Sequence, residues 1–424
     1  MYSKKVIIVV AFALFSLFFG AGNLILPPQL GFKSGAAWWL VAVGFCISAV
    51  LIPILGILAH AKLQGGMFDF AKKVSPTFSL IYCFIVYAIS ISLPSPRTAS
   101  VTHEMGVQPL FDSSPLLTSI TYFVLVFLFV INRSKILNVI GKILTPAIIL
   151  ILLAIVGTAL FHFDFSFGEG VFPSPFSHGI LEGYQTFDAI GAVVVGGVII
   201  ISINLKKEEG SYKAKKALIA KAGLLAGFGL FLIYGGLIIT GALMHKEFDT
   251  DVSRTALLSG ISLKTLGSTA NLFLSILVSL ACFTTAVGIV TGTADFVKSQ
   301  FKNSRTAYII TAVIGCLLGV LMGQFNVHYI IAVAVPALMF IYPITIILIL
   351  LNVVPDKYAS KQVFRAVVIT TILFSIPDFL GSIGSPLAPE GGILKWIPLQ
   401  KYSMGWVLPS LAVFVGANLM GKKQ

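Results

Sequence analysis

Charge is what this chain has least of. Asp, Glu, Lys and Arg together supply 11% of its 424 residues, against about 25% in an ordinary soluble domain. So little charge excludes a water-covered globular surface. The basic excess, 29 Lys and Arg against 16 Asp and Glu, is dispersed in short clusters, so no basic domain for nucleic acid is present. Cysteine is equally sparse. Cys46, Cys83, Cys282 and Cys316 stand singly inside apolar runs, which excludes a disulfide framework or a CxxC metal site and leaves them as small buried apolar residues. The six histidines show no metal-ligand spacing. A nucleophile–base pair, a phosphate-cradling Gly-Lys loop and a dinucleotide fingerprint are all missing, so nothing indicates an enzyme.

What the chain does have is apolar length. Hydrophobic residues make up 57% of it and the mean hydropathy is +0.98, the composition of an all-α polytopic membrane protein. Twelve transmembrane helices are expected. The first five are 6–30, 36–60, 78–104, 116–131 and 138–161. The remaining seven are 180–204, 222–244, 272–298, 306–323, 328–351, 363–380 and 402–420. The first run is too long for a signal h-region, so it reads as a retained span. An amphipathic piece, 255–266, is expected to lie along the surface before the eighth span.

Loop charge tests that count independently. With the N-terminus on the cytoplasmic side, alternate loops collect all the basic residues except Lys33, Arg97, Lys246, Arg254, Lys264, Lys395 and Lys401, while the opposite loops carry Asp112, Asp164, Glu169, Glu247, Asp249, Asp251 and Glu390. Both termini are therefore expected to be cytoplasmic, in a multi-pass protein of the plasma membrane with the lipid bilayer as its surroundings and no obligate protein partner.

Two of the spans are interrupted. In the first, Phe19-Gly20-Ala21-Gly22-Asn23 sets poor helix formers at mid-membrane depth, and Pro27-Pro28 removes two donors. In the sixth, Glu182-Gly183-Tyr184-Gln185-Thr186-Phe187-Asp188 does the same. Small residues at such places also serve as helix-packing patches. Two breaks five spans apart, in helices that cross in opposite senses, instead mark an inverted-repeat transporter. Residues 1–161 would form the first repeat, 162–351 the second, and 352–424 two appended helices. This 5+5 arrangement rests on topology and on the breaks, since no residue-level likeness between the halves is visible.

Several side chains carry alternative readings. In Leu280–Gly288, the Thr284 and Thr285 hydroxyls and the Ala281 carbonyl can point the same way off one helix, as neutral ligands for a monovalent cation. Membrane threonines also bond back to their own helix. Asp188 is an intramembrane acid, a functional candidate by default, that could instead cap the broken helix or pair with a base. Arg97 could form a gate with a carboxylate or snorkel to the interface. Gly196-Gly197 and Gly235-Gly236 read as close-packing positions, and Pro336 and Pro343 as kinks.

The segments 19–28, 96–99, 182–188 and 280–288 together resemble the branched-chain amino acid:cation symporter family, over essentially the whole chain. That resemblance implies the leucine-transporter fold and sodium-coupled uptake of leucine, isoleucine and valine. It implies a sodium site at the carbonyls of Ser16, Phe19 and Ala281 and the hydroxyls of Thr284 and Thr285. It also implies a substrate site at Gly20, Ala21, Gly22, Asn23, Thr98, Tyr184, Gln185, Thr186 and Phe187, with Arg97 and Asp188 in gating or coupling. The sodium ion would be carried as coupling ion. The alternative is a proton-coupled carrier of the same fold. Relatives of that kind place a lysine on the fifth span, where this chain has only Lys142 at the cytoplasmic start.

Overall fold

The computed structural model describes residues 3–132, 136–194, 196, 212–384 and 397–421. Among these the chain is helical, with no strand. In chain order the helices are α1 Lys4–Phe18, α2 Ala21–Ser34, α3 Trp38–Cys46, α4 Ile52–Leu63, α5 Met67–Ala71, α6 Pro76–Ser92, α7 Pro94–Thr102, α8 Pro115–Asn132 and α9 Ile136–His162. Then follow α10 Pro175–Tyr184, α11 described over 188–194, α12 Tyr212–Leu243, α13 Arg254–Gln300, α14 Arg305–Gly323, α15 Val327–Val353, α16 Lys361–Ser382 and α17 Val407–Gly421. A π turn at Ile47–Leu51 joins α3 to α4, and another, His103–Val107, ends α7.

Among the described residues, nine helical runs are long and apolar enough to cross a bilayer, and Val407–Met420 is a shorter apolar helix. Their outward faces carry Leu150, Leu224, Phe228, Leu317 and Leu373 in the open, as expected where lipid tails and not water surround the bundle. The expected boundaries fall close to the helices for the fourth, fifth, ninth, tenth and eleventh spans. The sixth begins earlier, at Pro175, and the seventh at Tyr212. Residues 197–204 of the expected sixth span lie outside the described residues.

The segment 255–266 is a helical piece ahead of the eighth span, set off from the rest of α13 by the non-helical backbone of Gly267 (φ 82°, ψ −179°), with Leu263 exposed on its outer side. Leu257, Leu258 and Ile261 are fully buried in the core shared with α2, α9 and α12. The amphipathic pattern was read correctly as one apolar face, but that face packs against protein. Three polar contacts fasten this segment and its approach. The Arg254 guanidinium grips the Glu182 carboxylate of α10 at 2.8 and 3.1 Å. Glu104 accepts from the Thr255 hydroxyl and from the Val327 amide. Gln29 of α2 donates to the Val252 carbonyl at 2.9 Å.

Glycine sets the closest helix crossings. A Cβ on Gly31 would overlap the Ile238 carbonyl, and one on Gly241 would overlap the Pro28 carbonyl, so α2 and α12 touch backbone to backbone. The same reciprocal contact joins α3 to α10, through Gly44 against the Phe176 carbonyl and Gly179 against the Val41 carbonyl. Of the glycines singled out in the sequence, Gly196 meets the His60 ring and Gly236 meets Val156, whereas Gly235 faces nothing within 4 Å; Gly197 lies outside the described residues. At the far end of α15, Lys73 and then Lys62 hydrogen-bond Asp356 and hold its carboxyl below the usual carboxylate range. That carboxylate is largely exposed, so the cluster contributes little to stability.

Candidate functional site: two helix breaks face each other

The first break is two residues long. α1 stops at Phe18, Phe19 (φ −87°, ψ 79°) leaves the helix, and Gly20 (φ −104°, ψ −180°) is extended before α2 begins. The last carbonyls of α1 and the first amides of α2 thereby lose their helical partners. The second break, Gln185–Phe187, separates α10 from α11, and Phe187 takes φ 61°. Left-handed backbone at a bulky non-glycine residue is held only when its surroundings demand it. Here Thr186 accepts the Asp188 amide at 3.2 Å and the Tyr342 hydroxyl accepts the Ala189 amide at 3.1 Å, so two side chains cap the new helix start. Tyr184 stacks on Tyr342 with centroids 4.3 Å apart.

Asn23 ties the breaks together. Its side-chain amide donates to the Phe18 carbonyl at 2.8 Å, back across its own break, and to Asp188 Oδ2 at 2.6 Å, across to the other. It also lies against the Tyr234 hydroxyl of α12, which points its proton to Asp188 Oδ2 at 3.5 Å. All three side chains are buried. In a dry interior each would cost free energy if left unpaired, so the cluster fixes where α2, α11 and α12 meet. Among the described residues Asp188 is thus hydrogen-bonded by neutral groups and makes no ion pair with a base.

Arg97 reaches both breaks from α7. Leu93 interrupts the α6–α7 run ahead of Pro94 and Pro96, prolines that cannot donate into the preceding turn. Every residue of α7 is buried. Arg97 is only 4% exposed, so it does not snorkel. Its Nη1 donates to the Gln185 carbonyl at 2.8 Å, its Cζ sits 5.4 Å from the Phe187 ring centroid, and Nη2 lies where a Cβ on Gly22 would be. Thr98, on the same helix, bonds back to the Ser95 carbonyl.

The threonines of α13 stand beside the first break. Thr285 Oγ1 is 3.9 Å from the position of a Cβ on Gly20. Thr284 Oγ1 donates to the Ala281 carbonyl at 3.0 Å, which brings two of the expected cation ligands together through the back-bond anticipated for membrane threonines. The Ser16 hydroxyl, as distinct from the carbonyl expected to bind the ion, accepts the Thr145 hydroxyl of α9 at 2.8 Å. Tyr234, Tyr342 and Thr145 were not singled out in the sequence. Tyr234 and Tyr342 are phenols inside apolar spans, and the cost of burying a phenol without a partner was the signal available. For Thr145 no comparable signal existed. An apolar cavity of about 580 Å³ opens beside Tyr184 between Ile47, Ile52, Ile180, Ile346 and Trp406.

Known proteins place this architecture. Residues 3–424 match the family model described as branched-chain amino acid transport protein. The branched-chain amino acid permease BraB of Bacillus subtilis is 34% identical over 415 residues, 95% of this chain and 93% of that one. The branched-chain amino acid transport system 2 carrier protein of Pseudomonas aeruginosa is 32% identical over 98% of this chain and 97% of its own. Among solved structures, the inward-facing conformation of Mhp1 superposes with TM-score 0.62 at 12% identity, covering 98% of this chain and 91% of that one. MhsT in complex with L-phenylalanine superposes with TM-score 0.56 at 16% identity, covering 98% of each. The fold is thus shared with leucine-transporter-like carriers, and the chain belongs to the branched-chain amino acid transport protein family.

Proposed function

We propose that this membrane transporter carries one branched-chain amino acid together with one sodium ion into the cell. The observation that carries the reading is the meeting of the two breaks, bridged by Asn23 and Asp188 and flanked by neutral oxygens at Thr284 and Thr285. Broken helices supply what a zwitterion and a hard cation need: amides and helix N-termini for a carboxylate, freed carbonyls for cations. The sodium ligands are the carbonyls of Ser16, Phe19 and Ala281 and the hydroxyls of Thr284 and Thr285. Gly20–Asn23, Thr98 and Tyr184–Phe187 surround the substrate. Inward movement of one net positive charge gains about 2.3 kcal/mol per 100 mV.

The twelve-span, 5+5 topology with cytoplasmic termini belongs to the same reading. Its test is side-specific labelling, for which the buried native cysteines leave a low background. A cysteine introduced in the 206–216 loop, of which 206–211 lie outside the described residues, is labelled only from the cytoplasm. One introduced near Glu169 is labelled only from outside. Labelling of both from one side overturns the topology.

One observation favours proton coupling as a second reading: Asp188 is a buried carboxyl bonded to neutral partners, and can carry a proton. The Lys142 side chain lies outside the described residues. Uptake of labelled leucine into proteoliposomes separates the two. Sodium coupling gives accumulation under an inward sodium gradient at equal pH, and none under a pH gradient alone. In the same assay unlabelled isoleucine and valine compete and alanine competes less well, since each methylene in an apolar pocket is worth about 1–3 kcal/mol. Inhibition by lysine or glutamate, with none by isoleucine or valine, ends the branched-chain assignment.

A further inference from the structure

Resting on that carrier reading, we infer that the Arg97 guanidinium is the anchor for the carboxylate of the transported amino acid. Buried charges are ordinarily paired, because an isolated ion in a dry interior is costly. Arg97 departs from this. It is 4% exposed, and among the described residues no carboxylate lies within 4.0 Å of it. Asp188, the acid shared with its surroundings, is engaged by Asn23 and Tyr234. Of the guanidinium's donors, Nη1 is taken by the Gln185 carbonyl and Nε has no partner.

The placement is equally specific. The guanidinium lies between the two breaks, with one edge against Gly22 and its face toward Phe187. Gly22 is what admits it, because a Cβ there would fall 2.9 Å from Arg97 Cζ. A guanidinium's fixed fork matches a carboxylate in two parallel hydrogen bonds, which an amine or a peptide amide cannot do. The amides at the start of α2 add the partial charge of a helix N-terminus from the same side. Gln185 supplies the complement, since its side-chain oxygen is buried without a donor at the same break, an acceptor for the substrate ammonium. An orphaned donor and an orphaned acceptor at one break fit a zwitterion. A protein carboxylate on Arg97 would close the fork permanently; its absence leaves the counter-ion to arrive with the substrate.

The experiment compares leucine with leucinamide, which keeps the side chain and the ammonium but replaces the carboxylate with a neutral amide. Equilibrium binding is measured on the full-length purified carrier with saturating sodium at about pH 6.5, where both probes are mainly protonated on nitrogen. Wild type binds leucine about tenfold or more tighter than leucinamide, the scale of a charge-assisted hydrogen bond. Arg97→Gln brings leucine down to the leucinamide level and changes leucinamide binding by less than about threefold. Arg97→Lys, which keeps the charge and loses the fork, gives an intermediate ratio and serves if the glutamine variant does not fold. A wild-type leucine-to-leucinamide ratio in either variant overturns the anchor. Wild type that binds neither probe overturns the carrier reading on which the anchor rests.

Discussion

Gly22→Leu is expected to reduce leucine uptake to background while the protein still inserts into the membrane. Any side chain at this position begins with a Cβ that overlaps Arg97 Nη2, so even alanine displaces the guanidinium. Leucine adds three further carbons between the two breaks, where substrate is proposed to sit. A misplacement of about 1 Å at a reacting or binding centre already costs on the order of a hundredfold. Forcing a larger side chain into this buried position also costs about 1–3 kcal/mol in packing. Uptake is measured beside the amount of membrane-inserted protein and its monodispersity after solubilisation. Wild-type uptake by this variant would remove the first break from the substrate path.

Thr285→Ala and Thr284→Ala are expected to raise the half-saturating sodium concentration, by roughly five- to 150-fold if one oxygen contact is worth about 1–3 kcal/mol. Thr285 is expected to have the larger effect. Its hydroxyl stands beside Gly20, whereas the Thr284 hydroxyl also bonds the Ala281 carbonyl and must turn from it to meet an ion. Uptake at low sodium then collapses while uptake at saturating sodium largely recovers. Thr285→Ser keeps the oxygen and loses only a methyl group, so its sodium curve stays close to wild type. Sodium curves unchanged in both alanine variants mean that the threonines serve their own helix alone.

Much of this site was legible because membranes make local rules strict. Glycine, asparagine and proline in the middle of an apolar span can only mean a packing patch or a break, and the backbone at Phe19 and Gly20 breaks. The second break, 185–187, falls inside the stretch 182–188 that the sequence marked, because Gln185 and Thr186 are polar where lipid-facing residues cannot be. Asp188 was found by its charge, but its partner was not. That Asn23 would reach it, and that Tyr234 would close the cluster, depends on how three helices far apart in sequence come together, which periodicity does not encode. For Arg97 the sequence left a gate and a side chain reaching for the interface both open. Pro94 and Pro96 bend the chain ahead of it, and α7 turns the guanidinium inward. The 255–266 segment was read as an amphipathic piece, and what covers its apolar face depends on distant contacts of the same kind. An amphipathic pattern says that one face is apolar, not whether lipid headgroups or protein will cover it.

The glycine crossings described above decide where this molecule is able to bend. Helices usually slide past one another by letting interlocked side chains re-settle, the small shear movements seen in many closing proteins. Where carbonyl meets glycine directly, as Gly31 meets Ile238 and Gly179 meets Val41, no layer of side chains remains to take up that play. α2 with α12 and α10 with α3 then act as two stiff beams, and angular change passes to the joints beyond them, at residues 19–20 and 185–187. On the carrier reading those joints are also the binding site. Ligand and ion therefore sit on the pivot itself, and whatever stiffens or frees the pivot on binding sets how readily the beams can swing.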